Sequence, residues 1–263
     1  MSGHTREEKL EALGRVIDTL DELRVKCPWD RKQTNESLRA NTIEEVYELS
    51  QALLSDRKDE ICKELGDVLL HILFYSKIGD EKGQFDIADV ADALNSKLIF
   101  RHPHVFGDAA AADAQAVAEN WEQIKLREKG GNKTVLGGVP QALPALIKAS
   151  RIQEKAANVG FDWEEAHQVW EKVAEETAEV KSAVEAADME QTEAEFGDLL
   201  FAVINAARKY GVNPENALER TNAKFIRRFN FVENQAKEAG KELGSLSLSE
   251  MDALWDEAKA KGL

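Results

Sequence analysis

Two copies of one acidic pattern constrain this chain more than any other feature. Glu45 and Glu48 are followed, after a gap of fifteen residues, by Glu64 and Asp67, and the same four acids return 131 residues later as Glu176, Glu179, Glu195 and Asp198. Acids three apart project from one face of a helix, one turn above the other. Two such helices side by side gather four carboxylates. Four clustered carboxylates repel one another unless a cation lies between them, and hard oxygen donors favour Mg²⁺ or Mn²⁺ over zinc or copper. The pattern therefore predicts a duplicated metal site.

Acidic helix surfaces are common, and 49 of the 263 residues are Asp or Glu, so an isolated ExxE carries little meaning. The preserved gap and the context change that. Glu64 and Asp67 open the run GluLeuGlyAspValLeuLeuHisIleLeuPheTyr, and Glu195 and Asp198 open GluPheGlyAspLeuLeuPheAlaValIle. Runs this apolar predict helices buried nearly all round. Carboxylates at the edge of a buried helix need a partner, because an unpaired buried charge is too costly to persist.

A length of 263 residues accommodates two ordinary domains, as the repeat suggests. The formal net charge of −15 argues against nucleic acid or an anionic membrane as a broad-surface partner, so any phosphate ligand must be held locally. Two cysteines, Cys27 and Cys62, give no disulfide framework. The N-terminal residues lack the apolar core of a signal peptide, and the longest apolar stretch, Val68 to Tyr75, is too short for a bilayer. These features together predict a cytoplasmic protein.

Apolar residues recur at three and four throughout, as in Leu10, Leu13, Val16, Ile17, Leu20 and Leu23, which predicts an all-α chain. Helices are expected from about 7 to 26, then over 42–55, 58–79, 86–101 and 113–128, with CysProTrpAsp at 27–30 as a stop. Residues 129–140 hold four of the sixteen glycines and one of the five prolines. They mark a linker over 129–141 between an N-terminal helical domain, 1–128, and a C-terminal one, 142–263. The order then repeats: 142–157, a GlyPheAspTrp turn at 160–163, and helices near 165–186, 188–210, 214–240 and 248–261.

The repeat extends beyond the acids. Lys97 and Arg101 match Lys224 and Arg228, and Trp121 in AsnTrpGluGlnIleLys matches Trp255 in LeuTrpAspGluAlaLys. Lys224, Arg227 and Arg228 share about one helical turn and offer phosphate-binding groups, although exposed salt bridges would use the same residues. Likewise a tryptophan at helical spacing serves a core as readily as a nucleobase.

The ordered set resembles the MazG family of nucleoside triphosphate pyrophosphohydrolases over nearly the whole chain. The motifs that carry the resemblance are CysProTrpAsp at 27–30, ArgHisProHisValPhe at 101–106, GluPheGlyAspLeuLeuPhe at 195–201 and LysPheIleArgArgPhe at 224–229, together with the two ExxE, spacer, ExxD arrays. The resemblance implies tandem helical bundles that pair as homodimers, and Mg²⁺-dependent hydrolysis of nucleoside triphosphates between the α- and β-phosphates. Carried over by position, Glu176, Glu179, Glu195 and Asp198 are the expected metal ligands, and Lys224, Arg227 and Arg228 face the triphosphate, with Trp255 against the nucleotide. Glu175 and Glu176 both remain open as the base that orients water. Lys172, one turn before Glu176, is expected to reach a phosphate; Asn41 is its counterpart in the first copy.

Both quartets are complete, so their surroundings must rank them. Pro103 follows Arg101 by two residues and should end that helix, whereas the second copy runs on through LysPheIleArgArgPheAsnPhe. The C-terminal quartet is therefore expected to be the main catalyst. Glu45, Glu48, Glu64 and Asp67, with Lys97, Arg101 and Trp121, form a second site of uncertain duty. His71 has Ala202 as its counterpart and reads as a core histidine, and His102 and His104 as turn residues. A di-iron carboxylate bundle needs two ExxH motifs and only Glu164 with His167 supplies one. A non-catalytic Mg²⁺-binding dimerisation scaffold and a dUTPase-like pyrophosphatase of narrower substrate remain as alternatives.

Overall fold

In the computed structural model the described residues are 3–107, 124 and 133–263, and they hold helices and no strand. The all-α expectation is met. The chain divides into two compact units, Met1–Ala110 and Ala111–Leu263. Apart from residue 124, the expected helix over 113–128 lies outside the described residues, as do 129–132 of the expected linker; the rest of that linker, 133–141, is described and holds one short 3-10 turn, Leu136–Gly138. No described helix is long and apolar enough to cross a membrane.

The first unit contains α1 (Arg6–Lys26), α2 (Asn35–Ser55), α3 (Lys58–Glu81), α4 (Ile87–Arg101) and the single turn α5 (Pro103–Phe106). Helices α2 and α3 form a tight hairpin, and α1 and α4 pack on α3. The start of α2 falls seven residues before the expected one because Thr34 caps it, accepting from the Ser37 N–H at 3.2 Å while the Ser37 hydroxyl accepts from the Thr34 N–H. Helix α4 ends at Arg101 and Pro103 opens α5, as the proline demands. Leu20, Leu38, Leu73, Phe74 and Ile78 make the core, each contributing about 2 kcal/mol of apolar burial. Arg24 locks its edge: the buried guanidinium donates from Nε and Nη2 to Glu81 at 2.9 and 2.5 Å and reaches the Asp30 and Gln33 carbonyls.

The second unit repeats the hairpin. It contains α6 (Ala145–Ala157), α7 (Gln168–Glu185), α8 (Met189–Lys209), α9 (Pro214–Glu238) and α10 (Leu248–Ala260). Helices α7 and α8 pair closely, α6 lies against α8, and α9 pairs with α10. The buried set here is small, including Val169, Ala183, Ala202, Ala206, Val232, Ala236 and Ala258, so the helix axes approach closely.

One expectation fails within the single chain. The apolar runs after the ExxD motifs are not buried all round: Leu65, Ile72, Phe196, Leu200 and Val203 are 53%, 44%, 48%, 63% and 44% exposed. One face of α3 or α8 packs in its own unit, and the opposite face has no covering helix among the described residues of that unit.

The hairpin loops agree in backbone detail. Asp56 ends α2 with φ 52°, and its counterpart 131 residues on, Ala187, follows α7 with φ 54°. This left-handed step fixes how the second helix returns and so sets the register of the facing acids. Aspartate tolerates that region, whereas alanine is strained there. Ala187→Gly is expected to stabilise the second unit by about 0.5 to 1 kcal/mol in denaturant unfolding, the relief of strain exceeding the added chain entropy. No gain, or a loss, would contradict the strain assigned to this loop.

Candidate active site

The hairpins bring together three of the four acids in each quartet. In the first unit Glu45 and Glu48 project from α2 and Glu64 from α3, and each offers a carboxylate oxygen within 4.8 Å of the others. In the second, Glu176 and Glu179 on α7 meet Glu195 on α8 within the same limit. Asp67 and Asp198 stand outside these triads. Asp67 nevertheless lies close enough to raise the Glu45 carboxyl, and Asp198 lines a cleft together with Glu176. Glu64 and Glu176 are the buried members, 7% and 5% exposed.

Mutual repulsion is visible in the acidities. Desolvation first, then the charges of Asp67, Glu48 and Glu64, push the Glu45 carboxyl above its ordinary value, with His71 opposing. Desolvation, a hydrogen bond with Glu176 and the charges of Glu176 and Glu195 do the same to Glu179, with Lys172 opposing. Glu176 lies in the triad, whereas Glu175 stands outside it, exposed, and takes Lys172 Nζ at 3.0 Å. Lys172 also binds Glu176 at 2.6 Å.

Sequence comparison between the copies misses Lys63. Its Nζ lies 2.8 Å from Glu64 Oε1 and 3.4 Å from Asp67 Oδ2. The only available signal was its place immediately before the ExxD motif, and its counterpart Ala194 hides it. Glu64 Oε2, by contrast, is buried without a hydrogen-bond partner among the described residues. Such an oxygen suits a cation ligand better than a surface acid. The donor chemistry fits as well, since Mg²⁺ takes hard carboxylate oxygens and the three acids of each hairpin offer theirs within 4.8 Å of one another.

Beside the second triad opens a cleft of about 700 Å³. Lys172, Glu176 and Asp198 form its charged end, and Ile152, Ala156, Phe161, Trp163 and Phe201 give it an apolar wall. Asp162, in the expected turn at 160–163, anchors this wall to α8. Burial opposes its charge, yet bonds from Arg208 and Lys209 hold its carboxyl below the ordinary value. Nothing in the repeat pointed to this pair: at the 131-residue shift Asp162 falls on Arg31, and Arg208 falls on Lys77, which pairs with Asp21 and Asp80 instead.

The basic residues occupy different positions. Among the described residues the cleft wall includes neither Lys224, Arg227, Arg228 nor Trp255. Arg228 donates to the Leu263 carbonyl at 2.7 Å and stands 5.7 Å over the Trp255 ring, which in turn contacts Phe225. Lys224 and Arg227 are exposed on α9. In the first unit Lys97 and Arg101 sit on α4, and Trp121 lies outside the described residues. His71 is a paired core histidine, its Nδ1 2.9 Å from Thr42 Oγ1, which also meets the Tyr75 hydroxyl at 2.6 Å. His102 Nδ1 lies 2.6 Å from the Leu98 carbonyl at the end of α4.

Comparison with known proteins agrees with this duplicated arrangement. The MazG nucleotide pyrophosphohydrolase domain matches residues 33–106 and 164–232, which bracket both quartets. The nucleoside triphosphate pyrophosphohydrolase/pyrophosphatase MazG of Thermotoga maritima is 45% identical over 234 residues, covering 89% of each chain. The nucleoside triphosphate pyrophosphohydrolase of Escherichia coli K12 is 41% identical over 237 residues, 89% of this chain and 90% of that one. The uncharacterized protein YabN of Bacillus subtilis is 50% identical over 235 residues, which are 89% of this chain and 48% of YabN.

The raised carboxyls make a pH test. A carboxyl whose folded pKa exceeds its unfolded one binds more protons in the native state, so stability is lost as pH rises through that window. A divalent cation removes this penalty and must displace the extra protons. Mg²⁺ at about ten times its Kd should therefore stabilise by about 1.4 kcal/mol near pH 8, and clearly less near pH 5.5. An equal or larger effect at the acid pH, read by thermal unfolding, would refute the assignment.

Proposed function

Because the chain belongs to the MazG nucleotide pyrophosphohydrolase family, we propose that it hydrolyses nucleoside triphosphates to the monophosphate and pyrophosphate, with its principal catalytic centre in the second unit. The observation that carries the reading is that Glu176, a member of the Glu176, Glu179, Glu195 triad, lines with Lys172 and Asp198 a cleft that offers one charged end and one aromatic wall. A nucleotide has the same polarity, phosphates at one end and a flat base at the other.

In this reading Glu176, Glu179, Glu195 and Asp198 hold Mg²⁺, or Mn²⁺ in its place. When bound, the cation polarises phosphoryl oxygens and acidifies water. Lys172 leaves Glu175 and Glu176 for a phosphate oxygen, exchanging one charge-assisted bond for another. That release frees Glu175, which takes a proton from the water attacking the α-phosphorus. The α-phosphorus to bridging-oxygen bond breaks, and pyrophosphate leaves with the bonding electrons. Glu176, buried among its neighbours, suits the cation better than the proton. Trp163 and Phe161 offer stacking area to the base.

Lys224, Arg227, Arg228 and Trp255 enter through assembly. We infer a homodimer in which the uncovered faces of α8 and α9 pair, since Phe196, Leu200, Phe225 and Ile226 are 48%, 63%, 56% and 57% exposed. Bases on α9 then meet phosphates that the acids of their own cleft do not bring to them. Glu45, Glu48, Glu64 and Asp67, with Lys97, Arg101 and Trp121, make a second and weaker site. A cytoplasmic setting supplies the triphosphates such an enzyme needs.

Three measurements test the reading. Incubation with each ribo- and deoxyribonucleoside triphosphate and Mg²⁺ should yield pyrophosphate and not orthophosphate; orthophosphate alone, or no product from any nucleotide, would sink it. A response to dUTP alone would favour the narrower substrate. Glu179→Ala should lower kcat by about a hundredfold or more, the scale of a lost electrostatic contact to the transition state, while Glu48→Ala retains at least about half. The reverse ranking would move catalysis to the first unit. Leu200→Glu should convert a dimer to a monomer in sedimentation, and an unchanged mass would exclude that face as the interface.

A further inference from the structure

Each unit keeps one lysine inside its acid cluster, and the two lysines come from different helices. Lys172 reaches Glu176 from α7, one turn earlier on the ExxE helix, and its counterpart is Asn41. Lys63 reaches Glu64 and Asp67 from α3, one residue before the ExxD motif, and its counterpart is Ala194. Neither position carries a lysine in both copies, yet each cluster has one. Charge has been conserved while its attachment point moved across the hairpin.

A cluster of acids alone would say little. A second observation singles out the first unit: Glu64 is 7% exposed, contributes an oxygen to the triad, and keeps Oε2 buried without a donor. Lys63 satisfies only the other oxygen of that carboxylate. A buried carboxylate oxygen left unpaired is costly unless a cation completes it. The lysine itself is 64% exposed along its side chain, so its ammonium can leave the carboxylates without unpacking the hairpin.

We propose that Lys63 is the anion-contact residue of an N-terminal divalent-cation site, serving from α3 the role that Lys172 serves from α7. The inference rests on the reading of the quartets as cation sites. Without a cation, Lys63 neutralises Glu64 and Asp67. When a divalent cation takes those oxygens, the ammonium is displaced to the rim, where it meets the phosphate groups of the ligand that the cation carries. The first copy is therefore not short of a lysine for phosphate, as the alignment of Asn41 with Lys172 suggests. Its ligand class is a cation-bound di- or triphosphate.

The test uses the full chain with Glu179→Gln and Glu195→Gln, so that only the N-terminal quartet is complete. Mn²⁺ is titrated calorimetrically, then imidodiphosphate, a hydrolysis-resistant anion, in saturating Mn²⁺. Lys63→Gln should tighten Mn²⁺ about threefold, because a competing internal cation is gone, and weaken imidodiphosphate about tenfold through loss of a charged contact. Adding Asn41→Lys to Lys63→Gln should restore both affinities to within about twofold, as expected if the charge and not its helix matters. Unchanged affinities in Lys63→Gln, or no rescue by Asn41→Lys, would overturn the proposal while leaving the cation reading intact. No Mn²⁺ binding with Lys63 either present or replaced would sink both.

Discussion

Carboxylate repulsion across a helical hairpin is the constraint on which the rest of the molecule turns. Short loops hold α2 against α3 and α7 against α8, and three facing acids in each hairpin have carboxylate oxygens within 4.8 Å of one another. Each hairpin responds in the same three ways. One carboxyl in each cluster is pushed toward its protonated form, Glu45 or Glu179, one glutamate is buried, and one lysine is drawn in. An arrangement that raises a carboxyl and draws in a lysine is one that a divalent cation improves.

The periodic part of this design was open to sequence reading. Spacing of three within each motif and fifteen between them determined which faces meet, because helix geometry converts residue number into direction. The duplicated register extended even to the loop, where Asp56 and Ala187 adopt the same left-handed backbone. Residues outside the repeat were harder. Lys63 and Lys172 have no mutual alignment, and Asp162 with Arg208 joins a loop to a helix 46 residues away, a distance no local pattern encodes. Likewise the apolar runs of α3 and α8 predicted burial all round, which fails within the single chain because hydrophobicity does not specify what surface, if any in the same chain, covers each face. Nor does spacing along α9 say which cleft its bases serve: a helix pattern orders Lys224, Arg227 and Arg228 along one element and is silent about what faces it.

The two units also differ in what surrounds an equivalent core of acids. In the second, the turn at 160–163 is tied down by Asp162 to Arg208 and Lys209, which sets Trp163 and Phe161 beside the charged end of a cleft. In the first, the turn after α1 closes on Arg24, buried and bonded to Glu81 and to the Asp30 and Gln33 carbonyls; its counterpart in the second unit, Lys155, is buried as well. One loop is organised to leave an apolar wall, the other to close over a guanidinium. Duplication thus preserved the electrostatics and released the loops to diverge.

That division explains why position-by-position comparison misjudges the first copy. A quartet of acids in a partly desolvated hairpin is selected for its total charge, and total charge is indifferent to which helix contributes the compensating ammonium. Asn41 in place of Lys172 therefore removes nothing if Lys63 stands in place of Ala194. The same logic limits how far either lysine can wander: its Nζ must reach the buried glutamate, Glu64 or Glu176, because that carboxylate has the least water to fall back on. Both lysines meet this condition, at 2.8 and 2.6 Å, from opposite sides of the hairpin. Sites of this kind are better compared by the charges within reach of the buried carboxylate than by the residues in register with it.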